Sequence, residues 1–210
     1  MREMWFILLA AFGLVGLPPA QAASPAAPPA AAQAVLKLTS QDRILGNPAA
    51  PITIVEYASM SCPHCAHFQN EILPTIKKDW IDTGKAKLVL RDFPLDKPAL
   101  QAAMIARCAP PDRFYAFADT FFSAQPQWVM ASDYRGALAR LAKLGGMDAA
   151  AFDACLANKA VESQVLDSRL VAAKQLGVDS TPTFFVNGTQ FNGAPTAAQF
   201  EKLLSSVAKS

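Results

Sequence analysis

Two cysteines separated by two residues, in Ser61-Cys62-Pro63-His64-Cys65, form the stretch of this sequence best suited to chemistry. Pro63 favours the first position of a helix, where its missing N–H is one of the donors that a helix leaves unpaired. Cys62 then occupies the cap, with its sulfur close to the free N–H groups of His64 and Cys65. Such donors stabilise an anion, so we expect the Cys62 thiolate to form below the usual cysteine pKa of about 8.5. The spacing predicts a redox dithiol in which Cys62 attacks and Cys65, one turn further in and more buried, resolves.

The same cysteine spacing occurs in zinc sites and in haem attachment sequences, and the rest of the chain argues against both. A structural zinc site needs a second ligand pair at matching spacing. Cys108 and Cys155 instead stand alone, each in a helical stretch. Haem attachment requires a histidine directly after the second cysteine, and Ala66 occupies that position. A redox pair is therefore favoured, with no metal and no separate cofactor.

The dithiol lies between two elements of strand character. Residues 51–57 contain three β-branched aliphatic side chains, which indicate a buried strand that runs directly into the cysteine motif. The helix after the motif is interrupted by Pro74, where a kink is expected, and residues 87–93 form the next strand. A strand, a helix and a strand with this length of crossover predict a parallel pair in a right-handed βαβ unit. The expected apolar face of the helix consists of Phe68, Ile72, Ile76 and Trp80.

The periodicity between Asp92 and Gly177 is helical throughout. It predicts five helices, of which the last stops at Gly177. Their aromatic and aliphatic side chains are interpreted as a hydrophobic core rather than a cofactor site. The apolar positions that define the helices are Leu100, Met104 and Cys108; Phe114, Phe117 and Phe121; Leu138, Leu141 and Leu144; Phe152, Cys155 and Leu156; and Val161, Val165 and Leu176.

Strand character returns at residues 183–186. The next two residues, Asn187-Gly188, are a strong hairpin signal, so residues 189–192 should return antiparallel. Thr196 and Gln199 form a capping box that opens a last amphipathic helix.

The order of elements, β-α-β, helical insertion, β-β-α, predicts an α/β protein with a thioredoxin fold and an inserted α-helical domain. We assign the thioredoxin-like domain to residues 35–93 and 177–210, and the inserted domain to residues 94–176.

The first residues carry the pattern of an export signal. Arg2 precedes an apolar run over residues 5–17, and Ala20-Gln21-Ala22 provides a small-x-small cleavage site, which predicts a signal peptide over residues 1–22. An uncleaved anchor is the alternative, but the run is shorter than the 20 or so residues that span a bilayer. Residues 23–34, almost only Ala and Pro, predict a flexible leader. Export places the mature chain in the periplasm, where four cysteines are more naturally disulfides than metal ligands.

The charge and the repeat pattern of the chain bear on its possible partners. A net charge of +2, without a run of basic residues, gives no indication of nucleic-acid binding. No apolar heptad repeat accompanies the leader, so we expect a monomer.

Two stretches of the chain resemble the DsbA family of exported thiol:disulfide oxidoreductases. They are Glu56-Tyr57-Ala58-Ser59-Met60-Ser61-Cys62-Pro63-His64-Cys65 and Gly177-Val178-Asp179-Ser180-Thr181-Pro182-Thr183-Phe184-Phe185-Val186-Asn187-Gly188. The resemblance covers essentially the whole mature chain. It implies that the dithiol donates a disulfide to newly exported proteins with free cysteines, and that a quinone-linked membrane oxidase of the DsbB type reoxidises it.

The resemblance also suggests roles for individual residues. His64, between the cysteines, adds a donor and, when protonated, a charge beside the Cys62 thiolate, whereas His67 is interpreted as an ordinary helix residue. Glu56 matches a buried acidic group of the family, where burial would raise its pKa and suit it to exchange a proton with Cys65. A solvent-facing Glu56 is the alternative. Thr181 and Pro182 match the family's cis-proline loop, whose backbone pairs with extended substrates.

Cys108 and Cys155 fall on apolar helical positions and leave several alternatives open. They could pair with each other, remain free, or exchange with the active pair. A structural disulfide that clamps two helices is the simplest of these, and on the chain-entropy model it would stabilise the fold by roughly 4 kcal/mol.

Two alternative functions remain at this stage. A disulfide isomerase or reductase of the same fold would share the motif, although such proteins typically carry an oligomerisation domain. A metal-handling protein could use Cys62 and Cys65 with His64 or His67 as ligands.

Overall fold

The computed structural model describes residues 30–193 and 195–209. The expected signal peptide, residues 1–22, lies outside the described residues, as do residues 23–29 of the expected leader.

A five-stranded mixed sheet forms the centre of the molecule. Its strands are β1 (Ile44–Gly46), β2 (Ile52–Ala58), β3 (Ala86–Asp92), β4 (Thr183–Val186) and β5 (Thr189–Asn192). They lie in the order β1-β3-β2-β4-β5, with β2 and β3 parallel and all other neighbours antiparallel. The parallel pair confirms the predicted βαβ unit. The β4–β5 hairpin turns at Asn187 and Gly188, both with positive φ, as the sequence predicts.

Helices cover both faces of the sheet and form the insertion. They are α1 (Ala30–Leu36), α2 (Pro63–His67), α3 (Leu73–Ile76), α4 (Lys97–Cys108), α5 (Phe114–Ser123), α6 (Gln125–Trp128), α7 (Tyr134–Leu144), α8 (Ala149–Ala157), α9 (Lys159–Leu176) and α10 (Ala197–Val207). The fold is thus the expected thioredoxin fold with inserted helices.

The structure adds three details that the sequence did not predict. Strand β1 and the short helix α6 were not expected. Helix α1 begins at Ala30, inside the range 23–34 that was expected to be a flexible leader, and Ala32 is buried. Residues 30–34 are therefore helical, because the apolar side of this Ala-rich segment packs on the sheet face that also contacts α9.

The two faces of the sheet have separate cores because alternate residues of a strand point to opposite sides. The first core joins Ile52, Ile54, Leu88, Phe184 and Val186 to Phe68, Ile72, Ile76, Phe200 and Leu204 from the helices after the motif and at the C-terminus. The second joins Val55, Tyr57, Val89, Phe93 and Phe185 to Ala32, Ala172 and Leu176 from α1 and α9. The dithiol belongs to a third core, which is largely that of the insertion.

The helical stretch that follows the dithiol widens twice into π-helix. The segments Phe68–Ile72 and Lys77–Ile81 are π-helical, on either side of α3. The first π-helical segment directly precedes Leu73 and Pro74. In a regular α-helix the ring of Pro74 would clash with the backbone carbonyl four residues earlier, and the wider π turn makes room for it. The interruption expected at Pro74 is thus accommodated by a widened turn, and Phe68, Ile72 and Ile76 stay on the buried face.

Two buried ion pairs connect the sheet to its surroundings. Arg91 on β3 binds Asp42 through Nε and Nη2, both at 2.9 Å, and also donates to the carbonyls of Val35 and Lys37. This arrangement ties the chain before β1 to the sheet. Arg107 on α4 donates from Nε to Asp92 at 2.7 Å, which ties the insertion to the end of β3.

The insertion also contains a disulfide. Cys108, at the end of α4, is joined to Cys155 on α8, with a Cα–Cα distance of 6.0 Å.

Over residues 30–193 and 195–209, no helix is both long enough and apolar enough to cross a membrane.

Candidate active site at the Cys62–Cys65 pair

Cys62 lies at the N-cap of α2, and Pro63 is the first residue of that helix. Both Cys62 and Cys65 are free thiols, and both are buried. The pKa of Cys62 is lowered to about 5, chiefly because the Cys65 side chain donates a hydrogen bond to the Cys62 sulfur. The side chain of Thr181 and the N–H groups of Cys65 and His64 lower it further. This environment stabilises a thiolate on Cys62.

Thr181 and Pro182 face the first cysteine from across the site. The peptide bond between them is cis, and the Cys62 Sγ lies 3.2 Å from the carbonyl oxygen of Thr181, to which the thiol donates. The Thr181 hydroxyl is buried and has no hydrogen-bond partner among the described residues. It is therefore available to donate to the sulfur once the sulfur is ionised. The structure thus brings together two segments that are more than a hundred residues apart in the chain.

Cys65 has the opposite electrostatic environment. Its pKa is raised well above the ordinary value, first because of burial, and also because it donates to the Cys62 sulfur. A negative charge on Glu56 or Cys62, when either group is ionised, raises it further. The pKa values of the two cysteines are thus shifted in opposite directions, which favours a thiolate on Cys62 and a thiol on Cys65.

Glu56 lies on β2, in the middle of the sheet, with no exposed surface. It points to the same side as Ile52 and Ile54, which is the side covered by the helical stretch that follows the dithiol. The solvent-facing alternative for Glu56 is therefore wrong. Burial raises its pKa well above the ordinary value, and a hydrogen bond from Gln69 only partly offsets this. At neutral pH the carboxyl group retains its proton more readily than an exposed glutamate does.

The two histidines near the pair are both exposed. His64 contributes its backbone N–H to the Cys62 sulfur, and the effect of its imidazole stays a prediction. Among the described residues, no three His, Cys, Asp or Glu side chains are grouped so that they could hold a metal ion.

Comparison with known proteins agrees with this geometry. The family model described as thioredoxin matches residues 38–206. The crystal structure of Wolbachia pipientis alpha-DsbA1 superposes with a TM-score of 0.79 at 30% sequence identity, covering 85% of this chain and 96% of that one. Disulfide bond formation protein D of Bacillus subtilis is 31% identical over 154 residues, which are 69% of this chain and 67% of that protein.

The chain belongs to the DsbA group of the thioredoxin family. A Rickettsia typhi relative of this DsbA-type chain, provisionally named a protein-disulfide oxidoreductase, is 36% identical over 156 residues. Those residues are 73% of this chain but only 57% of the rickettsial protein. The chain therefore spans little more than half the length of that relative.

Sequence reasoning missed several polar residues around the dithiol of this DsbA-type protein. Gln69 donates to Glu56 at 2.6 Å, and Ser61 donates from its hydroxyl to Asp96 at 2.6 Å. Gln125 donates from Nε2 to the carbonyl oxygens of Met60, at 2.8 Å, and Cys62, at 3.0 Å. Ser61 stands beside the dithiol, but nothing in the local sequence indicates its partner, and Gln69 and Gln125 belong to no motif. Asp96 alone has a sequence signal, because an acidic residue followed by Lys-Pro is typical of a helix N-cap.

Proposed function

We propose that this chain is a periplasmic thiol:disulfide oxidase that donates its Cys62–Cys65 disulfide to exported proteins with free cysteines. The observation that carries the proposal is the low pKa of Cys62 at the helix cap, beside a Cys65 of raised pKa. A stabilised thiolate favours the reduced form of the pair, so the disulfide form is a strong oxidant.

The reaction begins when a substrate thiolate attacks the Cys62 sulfur of the oxidised pair. A new disulfide forms between the substrate and Cys62, and the Cys62–Cys65 bond breaks, leaving the electron pair on Cys65. Because the raised pKa of Cys65 disfavours a thiolate there, this sulfur needs a proton. Protonated Glu56, buried on the side of the sheet covered by the helical stretch that follows the dithiol, is the proposed donor.

A second substrate thiolate then attacks the substrate sulfur of the mixed disulfide. The substrate leaves with its own disulfide, and Cys62 leaves as the stabilised thiolate. The protein has gained two electrons, and the substrate has lost two. The cis-proline loop supports substrate binding in this scheme, because the backbone of Thr181 lies beside the Cys62 sulfur and can pair with an extended segment.

Reoxidation removes the two electrons and requires an acceptor outside this chain. A DsbB-type, quinone-linked membrane oxidase is the proposed partner. The scheme needs no cofactor beyond the dithiol, and we propose that the chain acts as a monomer. The imidazole of His64 is proposed to strengthen the oxidant by adding positive charge near the thiolate.

The proposal is tested with the oxidised protein and a reduced, unfolded protein that has two cysteines. Stoichiometric transfer of the disulfide would support it. So would a stable mixed disulfide between a single-cysteine substrate and a Cys65→Ser variant whose Cys62 was first joined to a small aromatic thiol, which leaves when the substrate thiolate attacks. The Cys62→Ser variant, treated in the same way, should form none. Rapid rescue of a substrate with mispaired disulfides by the reduced protein, without net oxidation, would instead identify an isomerase. Tight stoichiometric zinc or copper that blocks alkylation of the thiols would identify a metal-handling protein.

A further inference from the structure

The segment that leads into the nucleophile is held by a side chain of the helical insertion. The Nε2 atom of Gln125 donates to the carbonyl oxygens of Met60, at 2.8 Å, and Cys62, at 3.0 Å. The two N–H bonds of one amide group thus bind two carbonyls that are two residues apart. Gln125 is only 8% exposed, so water is poorly placed to replace either bond if the amide is removed.

The position of Gln125 is fixed by the corner between α5 and α6. Trp128, on the same short helix, is fully buried and donates from its indole nitrogen to the carbonyl oxygen of Phe121 at 2.8 Å. This bond anchors α6 to α5, and Phe121 is itself buried in the core of the insertion. The amide of Gln125 therefore projects from a rigid support toward the segment that ends in Cys62.

A second contact from the insertion holds the residue between these two carbonyls. The hydroxyl of Ser61 donates to Asp96 at 2.6 Å, and the other carboxylate oxygen of Asp96 accepts from the N–H of Ala99 at 2.8 Å as the cap of α4. Residues 60, 61 and 62 are thus each bound by a side chain from residues 96–125. Of these contacts, only the hydrogen bond from Gln125 is made to the main chain of Cys62 itself.

We propose that Gln125 is a positioning residue, which holds the backbone of Cys62 so that its sulfur meets the donors of Cys65, Thr181 and His64. This inference rests on the proposed function and extends it. The insertion then contributes to the oxidising power of the dithiol, through a hydrogen bond to the backbone rather than through contact with substrate.

The physical reason lies in the geometry of the cap. The Cys62 carbonyl also accepts the N–H of Ala66, at 3.1 Å, which is the first turn of α2. A bond from Gln125 to the same oxygen fixes the plane of the peptide that links the cap to the helix. Without it, the Cys62 backbone can rotate, and several weak bonds to the sulfur lengthen together. Hydrogen bonds weaken steeply as their distance and angle depart from the optimum.

The variant that isolates this bond is Gln125→Met, which keeps the length of the side chain and removes both donors. The matched control is Gln127→Met, the same change at an exposed position of the same helix. Both variants are compared with the wild type. Titration of the thiolate absorbance in the reduced proteins gives the Cys62 pKa, and equilibration with glutathione gives the equilibrium constant for oxidising it. For Gln125→Met we expect the Cys62 pKa to rise by about one unit and the equilibrium constant for oxidising glutathione to fall about tenfold. Gln127→Met should match the wild type.

The outcomes separate this inference from the proposed function. If the wild type ionises like a free cysteine, the proposed function fails. If the wild type ionises near pH 5 and Gln125→Met does the same, Gln125 only contributes to stability and the inference is overturned. A melting temperature recorded for each variant shows whether a folded protein is being titrated.

A measurement on the unaltered protein covers the case in which Gln125→Met does not fold. The side-chain amide resonances of Gln125 in the reduced wild type should shift with pH, with the same midpoint as the Cys62 thiolate. Those of Gln127 should not. A Gln125 amide that is insensitive to ionisation of Cys62 would overturn the inference.

Discussion

Nε2 of Gln69 donates a hydrogen bond of 2.6 Å to Oε2 of Glu56, and both side chains are buried. The second carboxyl oxygen of Glu56 and the amide oxygen of Gln69 have no hydrogen-bond partner among the described residues. One donor cannot compensate a carboxylate for the water it loses on burial, so the protonated form is favoured. Gln69 lies on the first π-helical segment, Phe68–Ile72. The widened turn therefore carries the one side chain among the described residues that is hydrogen-bonded to the Glu56 carboxyl group.

The Glu56→Gln variant should change how stability depends on pH. Because the native pKa of Glu56 is raised, the native state binds a proton that the unfolded state releases above its ordinary pKa of 4.5. The free energy of unfolding of the wild type should therefore fall as pH rises above 4.5, by up to about 1.4 kcal/mol per pH unit, until the raised pKa is passed. Glu56→Gln should make that decline shallower and leave only the contributions of other carboxyl groups with raised pKa values, such as Asp92 and Asp119. Urea unfolding of the oxidised protein at several pH values measures it without interference from thiols.

Glu71→Gln provides the control, because Glu71 is exposed on the same π-helical segment as Gln69. It should retain the wild-type pH dependence. A decline of equal slope in Glu56→Gln and in the wild type would show that Glu56 is not the titrating group.

The Thr181→Val variant should raise the pKa of Cys62 while keeping the backbone carbonyl beside the sulfur. The hydroxyl is one of the donors that lower this pKa to about 5. A hydrogen bond to a charged group is worth about 1.5–3 kcal/mol, so we expect a rise of about one to two pKa units. Thiolate absorbance measures the change, with Thr189→Val in the β4–β5 hairpin as the control. An unchanged midpoint would mean that the Thr181 hydroxyl does not bind the thiolate.

Replacing both Cys108 and Cys155 by alanine should destabilise the protein without altering the dithiol. The bridge joins residues 47 apart in the sequence, and closing a loop of that length is worth about 4 kcal/mol on the chain-entropy model, as an upper value. Urea unfolding measures the loss. The Cys62 midpoint should stay near 5, since neither cysteine of the bridge contributes to its pKa. A shift of that midpoint would indicate coupling between the two cysteine pairs.

The Asp42→Ala variant should cost about 3 kcal/mol of stability, because it leaves Arg91 charged and buried without its partner. The exposed pair between Lys77 and Asp82 offers the comparison, and Asp82→Ala should cost about 1 kcal/mol or less. Equal losses for the two variants would contradict the role assigned to the buried pair in tying the chain before β1 to the sheet.

The sequence was sufficient to predict the parts of the fold that depend on local patterns. The hairpin at Asn187-Gly188 and the capping box at Thr196 follow from short-range backbone chemistry. Strand β1 was missed because it is only three residues long and forms through pairing with β3. Helix α1 was missed because its composition resembles a leader and its position depends on packing against α9.

The candidate site divides in the same way. Cys62 at the cap and Pro63 at the first helical position can be predicted from adjacent residues. The residues that hold the dithiol segment and Glu56 in place cannot be predicted in this way, because Gln69, Asp96 and Gln125 reach the site only through tertiary packing. A lone Gln in a helical stretch has no sequence pattern that distinguishes it from a solvated residue, and the cap signal at Asp96 does not show that its carboxylate also binds Ser61.

The ionisation of Cys62 in the reduced protein tests the central claim most directly. Thiolate absorbance should be followed from low to high pH, with the Cys62→Ser variant as the blank. The account predicts one transition with a midpoint near pH 5. A midpoint near that of an ordinary cysteine, about 8.5, would contradict it.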